Sequence, residues 1–248
     1  MNSETFYEKY RYCQPNWFSH NNLSDEELSL KILKEDLIPW VQLDIKVDIS
    51  SWLEESRLAE GYYVNHRDIE YGEGTHEDWQ SCVLHGIDID KTNVWQVYGY
   101  NTEPNYHWTD LGNKTTNIKM FWKNCFPAEK FARIRFMKLG AKGNISPHND
   151  GRNLIDLNEI VNYPIPINVA IDHPDECFMT FKDYGVVPFS SGSFFMLNIL
   201  NDHSVINFNN RDRIHLIAHC YIGNRKKDFF KLLARSYRKQ YDKIQSKI

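Results

Sequence analysis

No apolar run in this 248-residue chain approaches the roughly 20 residues that a membrane-spanning helix needs, so a transmembrane helix is excluded. No apolar stretch follows Met1-Asn2-Ser3-Glu4-Thr5, so no secretory leader is expected. Cysteine is sparse: Cys13, Cys82, Cys125, Cys177 and Cys220 are scattered, odd in number and never in a Cys-x-x-Cys pair. That argues against a zinc knuckle and against a disulfide framework. An excess of one charge is lacking too, since 29 Lys and Arg against 33 Asp and Glu leave a net charge of −4. There is no global case for a nucleic-acid or anionic-membrane partner. Internal repeats and low-complexity linkers are absent. The expectation is a soluble protein of a reducing cytoplasm.

What is present is apolar and aromatic. With 42% hydrophobic and 14% aromatic residues, the chain can bury a sizeable core in one elaborated domain or two small ones. Ser24-Asp25-Glu26-Glu27 is a capping box opening a short helix that Pro39 stops. Val41, Leu43, Ile45, Val47 and Ile49 alternate with mostly polar neighbours and predict a half-buried strand. Ser51 to Glu54 predicts a second capping box, with Gly61 at the end of its helix. Trp79–Ile87 and Val94–Tyr100 read as strands, residues 101–114 as loop. Thr115 or Thr116 would cap a short helix ending before Pro127.

From Phe131 the texture becomes strand-rich: Phe131–Leu139, Ile145–Asp150, Ile165–Asp172, Cys177–Phe181, Phe194–Leu200, and a hairpin of His203–Phe208 with Arg213–Ile222. Short strands at this spacing indicate a sandwich or barrel. A final helix from Lys226 carries Phe230, Leu233, Tyr237, Tyr241 and Ile244 on one stripe. Its other side carries Lys227, Lys231, Arg235, Arg238, Lys239 and Lys243, either a solvated face or a docking face. The stripe can bury itself on its own barrel or on a second subunit, which leaves a homodimer open.

The stretch that organises these elements is Asn144-Ile145-Ser146-Pro147-His148-Asn149-Asp150. His-x-Asp occurs four times, at His66/Asp68, His76/Asp78, His148/Asp150 and His173/Asp175. His173-Pro174-Asp175 reads as a turn, and the copies at 66 and 76 flank a Gly/Glu-rich turn region, so those three read as solvated loop residues. Only the copy at 148 ends a strand-like run and precedes a second strand-rich block. Strand geometry would turn His148 and Asp150 to one face. His203 would add the second imidazole of a 2-His-1-carboxylate set, which suits Fe(II) because it leaves coordination positions open. Arg213, ten residues on, has the planar fork that grips a carboxylate. Arg152 is a further candidate at the substrate mouth, or a solvated arginine. Ile214, Leu216, Phe194 and Met196 are expected to line the surrounding core.

Three runs carry a resemblance: Ala132–Leu139 with Ile145–Asp150, Ile167–Ile171 with Cys177-Phe178, and His203-Ser-Val-Ile-Asn207 with Arg213-Ile-His-Leu-Ile217. Over roughly residues 130–222 the chain resembles the aspartyl/asparaginyl β-hydroxylase-like branch of the Fe(II)/2-oxoglutarate oxygenases. The resemblance implies an α+β, mainly β fold: a double-stranded β-helix (jelly-roll or cupin) core at 130–224, a mixed α/β elaboration at 1–129 packed on it, and the C-terminal helix at 225–248. It implies Fe(II) on His148, Asp150 and His203, and 2-oxoglutarate held by Arg213. Asn168 stands where some members carry a histidine near the cosubstrate, and His215 shares a strand face with Arg213. O₂ and 2-oxoglutarate would be consumed, giving succinate and CO₂.

The peptidyl-aspartate hydroxylases lack the carboxylate ligand, whereas this chain keeps Asp150. That departure points toward members with a full triad and small substrates, and away from halogenation. The reading is therefore a dioxygenase hydroxylating an unactivated C–H of a free amino acid or similar small polar metabolite. The alternatives are a hydroxylase of Asp/Asn-type protein side chains and, from another class, a non-catalytic cupin-like binding module. Lid-like loops at 101–114 and 151–162 would favour the small substrate, an open groove the peptide.

Overall fold

The computed structural model describes residues 17–20, 22–34, 38–67, 78–150 and 163–246. Its strands, in chain order, are β1 (Trp40–Leu43), β2 (Val64–Asn65), β3 (Trp79–Gly86), β4 (His107–Trp108), β5 (Lys130–Leu139), β6 (Asn144–His148), β7 (Ile165–Asp172), β8 (Cys177–Phe181), β9 (Gly185–Val186), β10 (Phe194–Leu197), β11 (His203–Asn207) and β12 (Arg213–Tyr221). The helices are α1 (Asp25–Lys34), α2 (Ile49–Arg57), α3 (Asp110–Lys114), α4 (Thr116–Met120) and α5 (Lys226–Gln245).

The strands form two antiparallel sheets, a major one ordered β1-β10-β7-β12-β5-β3-β2 with β4 on β3, and a minor one ordered β6-β11-β8-β9. The period of two sorts each major strand into two faces. Trp40, Trp79, Met137, Leu139, Phe195 and Leu197 face the minor sheet, where they pack with Ile145, Met179, Phe181 and Val205. Cys82, Ile134, Phe136, Val169, Leu216 and Ala218 face the helices. This is the double-stranded β-helix architecture, mainly β with a helical layer on one face. Ile214, Leu216, Phe194 and Met196 fall in the helix-side core, so they back the site rather than line it.

Strands from residues 40–86 belong to the same sheet as those from 130–221, because β1 pairs β10 and β3 pairs β5. Several local expectations change. The alternation from Val41 to Ile49 marks burial, and Ile45, Val47 and Ile49 do pack on the core. The ladder nevertheless stops at Leu43, because β10 is four residues long and its register is exhausted there. Asp48, not Ser51, caps α2 by accepting from Ser50 N. Val94–Tyr100 is a 3₁₀ turn over Trp95–Tyr98, fixed by Tyr98 Oη accepting from Asn93 N and ended by left-handed Gly99. The stretch 101–114 holds β4 and α3. The N-terminus of α4 takes its cap from a distance: the Glu55 carboxylate accepts from the backbone N of Asn117 and Ile118.

The expected hairpin of His203–Phe208 with Arg213–Ile222 is also corrected. β11 pairs with β6 and β8 in the minor sheet, and β12 with β5 and β7 in the major one. The segment between them crosses from sheet to sheet. Asn207 holds that crossing, its Nδ2 donating to Gly140 O (3.0 Å) and Arg211 O (2.8 Å). His203 and Arg213 thus approach one interior from opposite walls.

The expected capping box is present, with Ser24 N donating to Glu27 Oε2 and Glu27 N to Ser24 Oγ. The stripe of α5 is buried on its own chain: Phe230, Leu233 and Tyr237 pack into the helix-side core, and Tyr237 Oη donates to Phe18 O. Part of its basic face is neutralised locally, Arg235 and Lys239 by Asp44 and Arg238 by Asp25. Among the described residues no helix is long and apolar enough to cross a membrane.

Candidate active site

β6 ends at His148, which sits directly across the ladder from His203 at the start of β11. Directly opposed residues bring their side chains together, and the two imidazole centroids are 4.4 Å apart. Asp150 follows the strand end, held by its backbone N donating to Ile199 O (3.0 Å). One ligand atom from each of His148, Asp150 and His203 lies within 4.8 Å of the others. Both rings are oriented from behind: His148 Nδ1 donates to Ser146 O (2.8 Å) and His203 Nδ1 to Asn201 O (2.9 Å). Each Nδ1 therefore carries the proton, and each Nε2 lone pair is free for a cation. His203 also packs at a tilt against Phe181, and burial lowers its pKa below the usual imidazole value.

Asp150 has a partner that the motif does not reveal. Arg67 Nη2 donates to Asp150 Oδ1 at 2.8 Å. Burial acts to raise the Asp150 pKa, but the Arg67 guanidinium and the two histidines outweigh it and hold the carboxyl below the usual value. Arg67 follows β2 in a left-handed conformation (φ 67°), with its guanidinium over the Trp79 ring. His66 is a core residue rather than a solvated one: it is buried, packs against Trp79 and shares a hydrogen bond with Ser81 Oγ. Arg152, Asp68, His76 and the loop 151–162 lie outside the described residues.

On the facing sheet, Arg213 at the start of β12 is 4% exposed, and no carboxylate contacts it among the described residues. A directed chain of hydrogen bonds surrounds it. His173 Nε2 lies 2.9 Å from Cys177 O, a pure acceptor, so that nitrogen carries hydrogen. In a neutral imidazole His173 Nδ1 then accepts from His215 Nε2 (2.9 Å), and His215 Nδ1 accepts from Arg213 Nη2 (2.8 Å). The Asn168 amide group also lies 2.7 Å from His215 Nδ1. An acceptor nitrogen calls for a donor there, so the amide nitrogen fits that position better than the oxygen.

Burial, with the nearby Arg213 charge, pushes His173 down to about 3 and His215 well below its ordinary value, so both are neutral. His173, expected as a solvated turn residue, is thus part of the anchor behind Arg213. Arg213 Nε has no partner of its own among the described residues.

The triad and Arg213 open on one inner cavity of about 80 Å³, lined also by Asn168, Met137, Met179 and Ile217. An outer cavity of about 420 Å³ shares His66, Arg67, Arg135, Asp150, Ile199 and His219 with it. The two are chambers of one cleft between the sheets.

The family model described as aspartyl/asparaginyl beta-hydroxylase matches residues 45–221, well over half of the chain. The chain belongs to the aspartyl/asparaginyl β-hydroxylase family. Its enzyme class is therefore that of the 2-oxoglutarate-dependent, non-haem iron oxygenases. No curated protein matches the chain. Solved structures similar to it include a 2OG-Fe(II) oxygenase family oxidoreductase from Burkholderia pseudomallei, 12% identical over 84% of this chain and 96% of that one, with a TM-score of 0.49. Another is a Pseudomonas putida prolyl-4-hydroxylase, 13% identical over 78% of this chain and 97% of that one, with a TM-score of 0.40. A prolyl hydroxylase from Trichoplax adhaerens, in complex with a hypoxia inducible factor peptide fragment, is 8% identical over 82% and 93%, with a TM-score of 0.47.

The residues present fit the groups that this β-hydroxylase family implies. Two imidazoles with outward Nε2 lone pairs and one carboxylate on the same side are a donor set for Fe(II). A buried guanidinium whose Nε has no partner, and which meets no carboxylate, among the described residues can receive one.

Proposed function

We propose that this β-hydroxylase family member oxidises an unactivated C–H of a free amino acid or similar small polar metabolite. His148, Asp150 and His203 hold Fe(II), which with 2-oxoglutarate and O₂ supplies an oxidant strong enough for such a bond, leaving succinate and CO₂. The chain's own residues bind, orient and exclude water. Arg213 clasps the distal carboxylate of 2-oxoglutarate, and the neutral His215–His173 pair fixes the guanidinium in place without adding a second positive charge. His215 and the Asn168 amide bound the same end of the cavity. Arg67 holds Asp150 ionised and fixes its carboxylate beside the histidines, with Oδ1 3.9 Å from His148 Nε2. Residues 130–224 carry the site, with strands from 40–86 completing its wall.

The observation that carries this reading is that the triad and a buried Arg213, without a carboxylate partner among the described residues, face one narrow cavity from two different sheets. The adjoining chamber, at about 420 Å³, is the size of a small-molecule site rather than a long peptide groove. The test is succinate release from 2-oxoglutarate with Fe(II) and O₂, across free amino acids and across Asp- or Asn-containing peptides. At least one free amino acid should accelerate release and gain one oxygen by mass. Stimulation by peptides alone would replace this reading with protein side-chain hydroxylation.

A further inference from the structure

The inner wall of the major sheet carries two cations that the family chemistry above does not use. β5 alternates strictly, so Arg133 and Arg135 point with Met137 and Leu139 into the interior. Arg135 is 8% exposed and lines both chambers; Arg133, half-buried, lines the outer one. Both guanidiniums donate to the same backbone carbonyl, Thr92 O. Among the described residues neither has a carboxylate partner, and Arg135 Nε has no partner. Asp150 is a negative charge that acts on both, and it is already paired with Arg67 and proposed to hold the metal. Buried cations at such spacing are costly unless an anion joins them. Burial and mutual repulsion act on Arg135 in one direction, lowering its affinity for its proton.

We propose that the outer chamber is an anion site, in which Arg135 and Arg133 together dock a doubly charged oxyanion group of the substrate: a pair of carboxylates, or a phosphate. This rests on the reading that the cleft takes a small substrate beside the triad, and it narrows that substrate to an acidic one. A planar fork on each arginine suits two oxygens at once. Because Arg135 shares its chamber with Asp150, the docked anion anchors a substrate whose uncharged carbon skeleton is turned to the triad. Arg213, which lines the inner chamber but not the outer one, remains for the cosubstrate.

The probes are L-aspartate, L-glutamate, L-asparagine, L-asparaginamide and inorganic phosphate. Each is titrated into protein saturated with Mn(II) and 2-oxoglutarate, so that Arg213 is already occupied, and the melting temperature is followed. The dicarboxylates or phosphate should raise it saturably, asparagine less, and asparaginamide not at all. Arg135→Gln should weaken the best ligand by about tenfold or more, the loss expected of a buried charge-assisted contact. Arg133→Gln should do the same to a smaller degree, and serves alone if Arg135→Gln does not fold.

Stabilisation by phosphate only assigns a phosphorylated substrate, and by carboxylates only an acidic amino acid. Asparaginamide binding as well as aspartate, unchanged affinity in both variants, or no probe binding would overturn the proposal. The visible band of the Fe(II)–2-oxoglutarate complex, recorded on the same wild-type preparation, keeps the two claims apart. Anion binding without the band sinks the iron reading alone, and the band without anion binding sinks the anion site alone.

Discussion

Replacing Arg213 with methionine keeps most of the stem volume and removes the charge. Two opposite effects are worked from its surroundings. In the ligand-free protein Arg213 is a buried cation with no carboxylate partner among the described residues, and its best contact is a hydrogen bond to neutral His215. The desolvation cost of such an ion is several kcal/mol, against about 1 kcal/mol for the lost hydrogen bond. The variant should therefore gain roughly 1–2 kcal/mol, which at this chain length raises the melting temperature by about 2–8 °C. With 2-oxoglutarate the sign reverses. Losing one partner of a buried charge pair costs about 2–5 kcal/mol, so affinity should fall by at least about thirtyfold. The assay is anaerobic titration of Fe(II)-loaded protein with 2-oxoglutarate, read in the visible, beside melting curves without ligand. Metal affinity should hold, because Arg213 hydrogen-bonds to His215 rather than to a residue of the triad. A variant that melts lower and binds 2-oxoglutarate unchanged would refute the reasoning.

Other predictions follow from the same groups. His173, pushed down to about 3, and His85, pushed down to about 4 by burial, stay neutral in the fold but protonate near their ordinary pKa when unfolded. The unfolded state then binds more protons, so stability is complete above about pH 6.5 and falls as pH drops toward 4. Melting curves across that range should show this loss, and His173→Gln should flatten it; an identical acid limb in the variant would contradict the assignment. Glu55→Ala leaves the backbone donors of Asn117 and Ile118 without their acceptor. It should cost about 2–3 kcal/mol, seen as a lower urea midpoint with unchanged slope.

What the sequence discloses here is what local chemistry decides. The Ser24–Glu27 box, the strands Ile165–Asp172 and Cys177–Phe181, and the terminal helix follow from caps and periodicity, and the structure has them. His148, Asp150 and His203 are legible as a set because spacing and strand context separate them from three other His-x-Asp pairs. Pairing is not local, and there the reading falters. His203 and Arg213 look like a hairpin because five residues join their strands, yet each strand completes a different sheet. Arg67 is invisible for the same reason: β2, a left-handed turn and the β3 ladder bring it to Asp150 from 83 positions away. His66 and His173 read as loop residues because turns flank them, although their rings turn inward. Arg133 and Arg135 carry a signal that was there to be used. On a strand alternating with Ile134 and Phe136, they share the face of Met137 and Leu139, which is the core face of a barrel.

The central claim is that His148, Asp150 and His203 hold Fe(II) with 2-oxoglutarate beside it. The direct measurement is the visible spectrum of the anaerobic protein with both added, for wild type and for His203→Ala. A weak charge-transfer band in the wild type, absent from a folded His203→Ala, is the predicted result. No band in folded wild type, or the same band without His203, would contradict it.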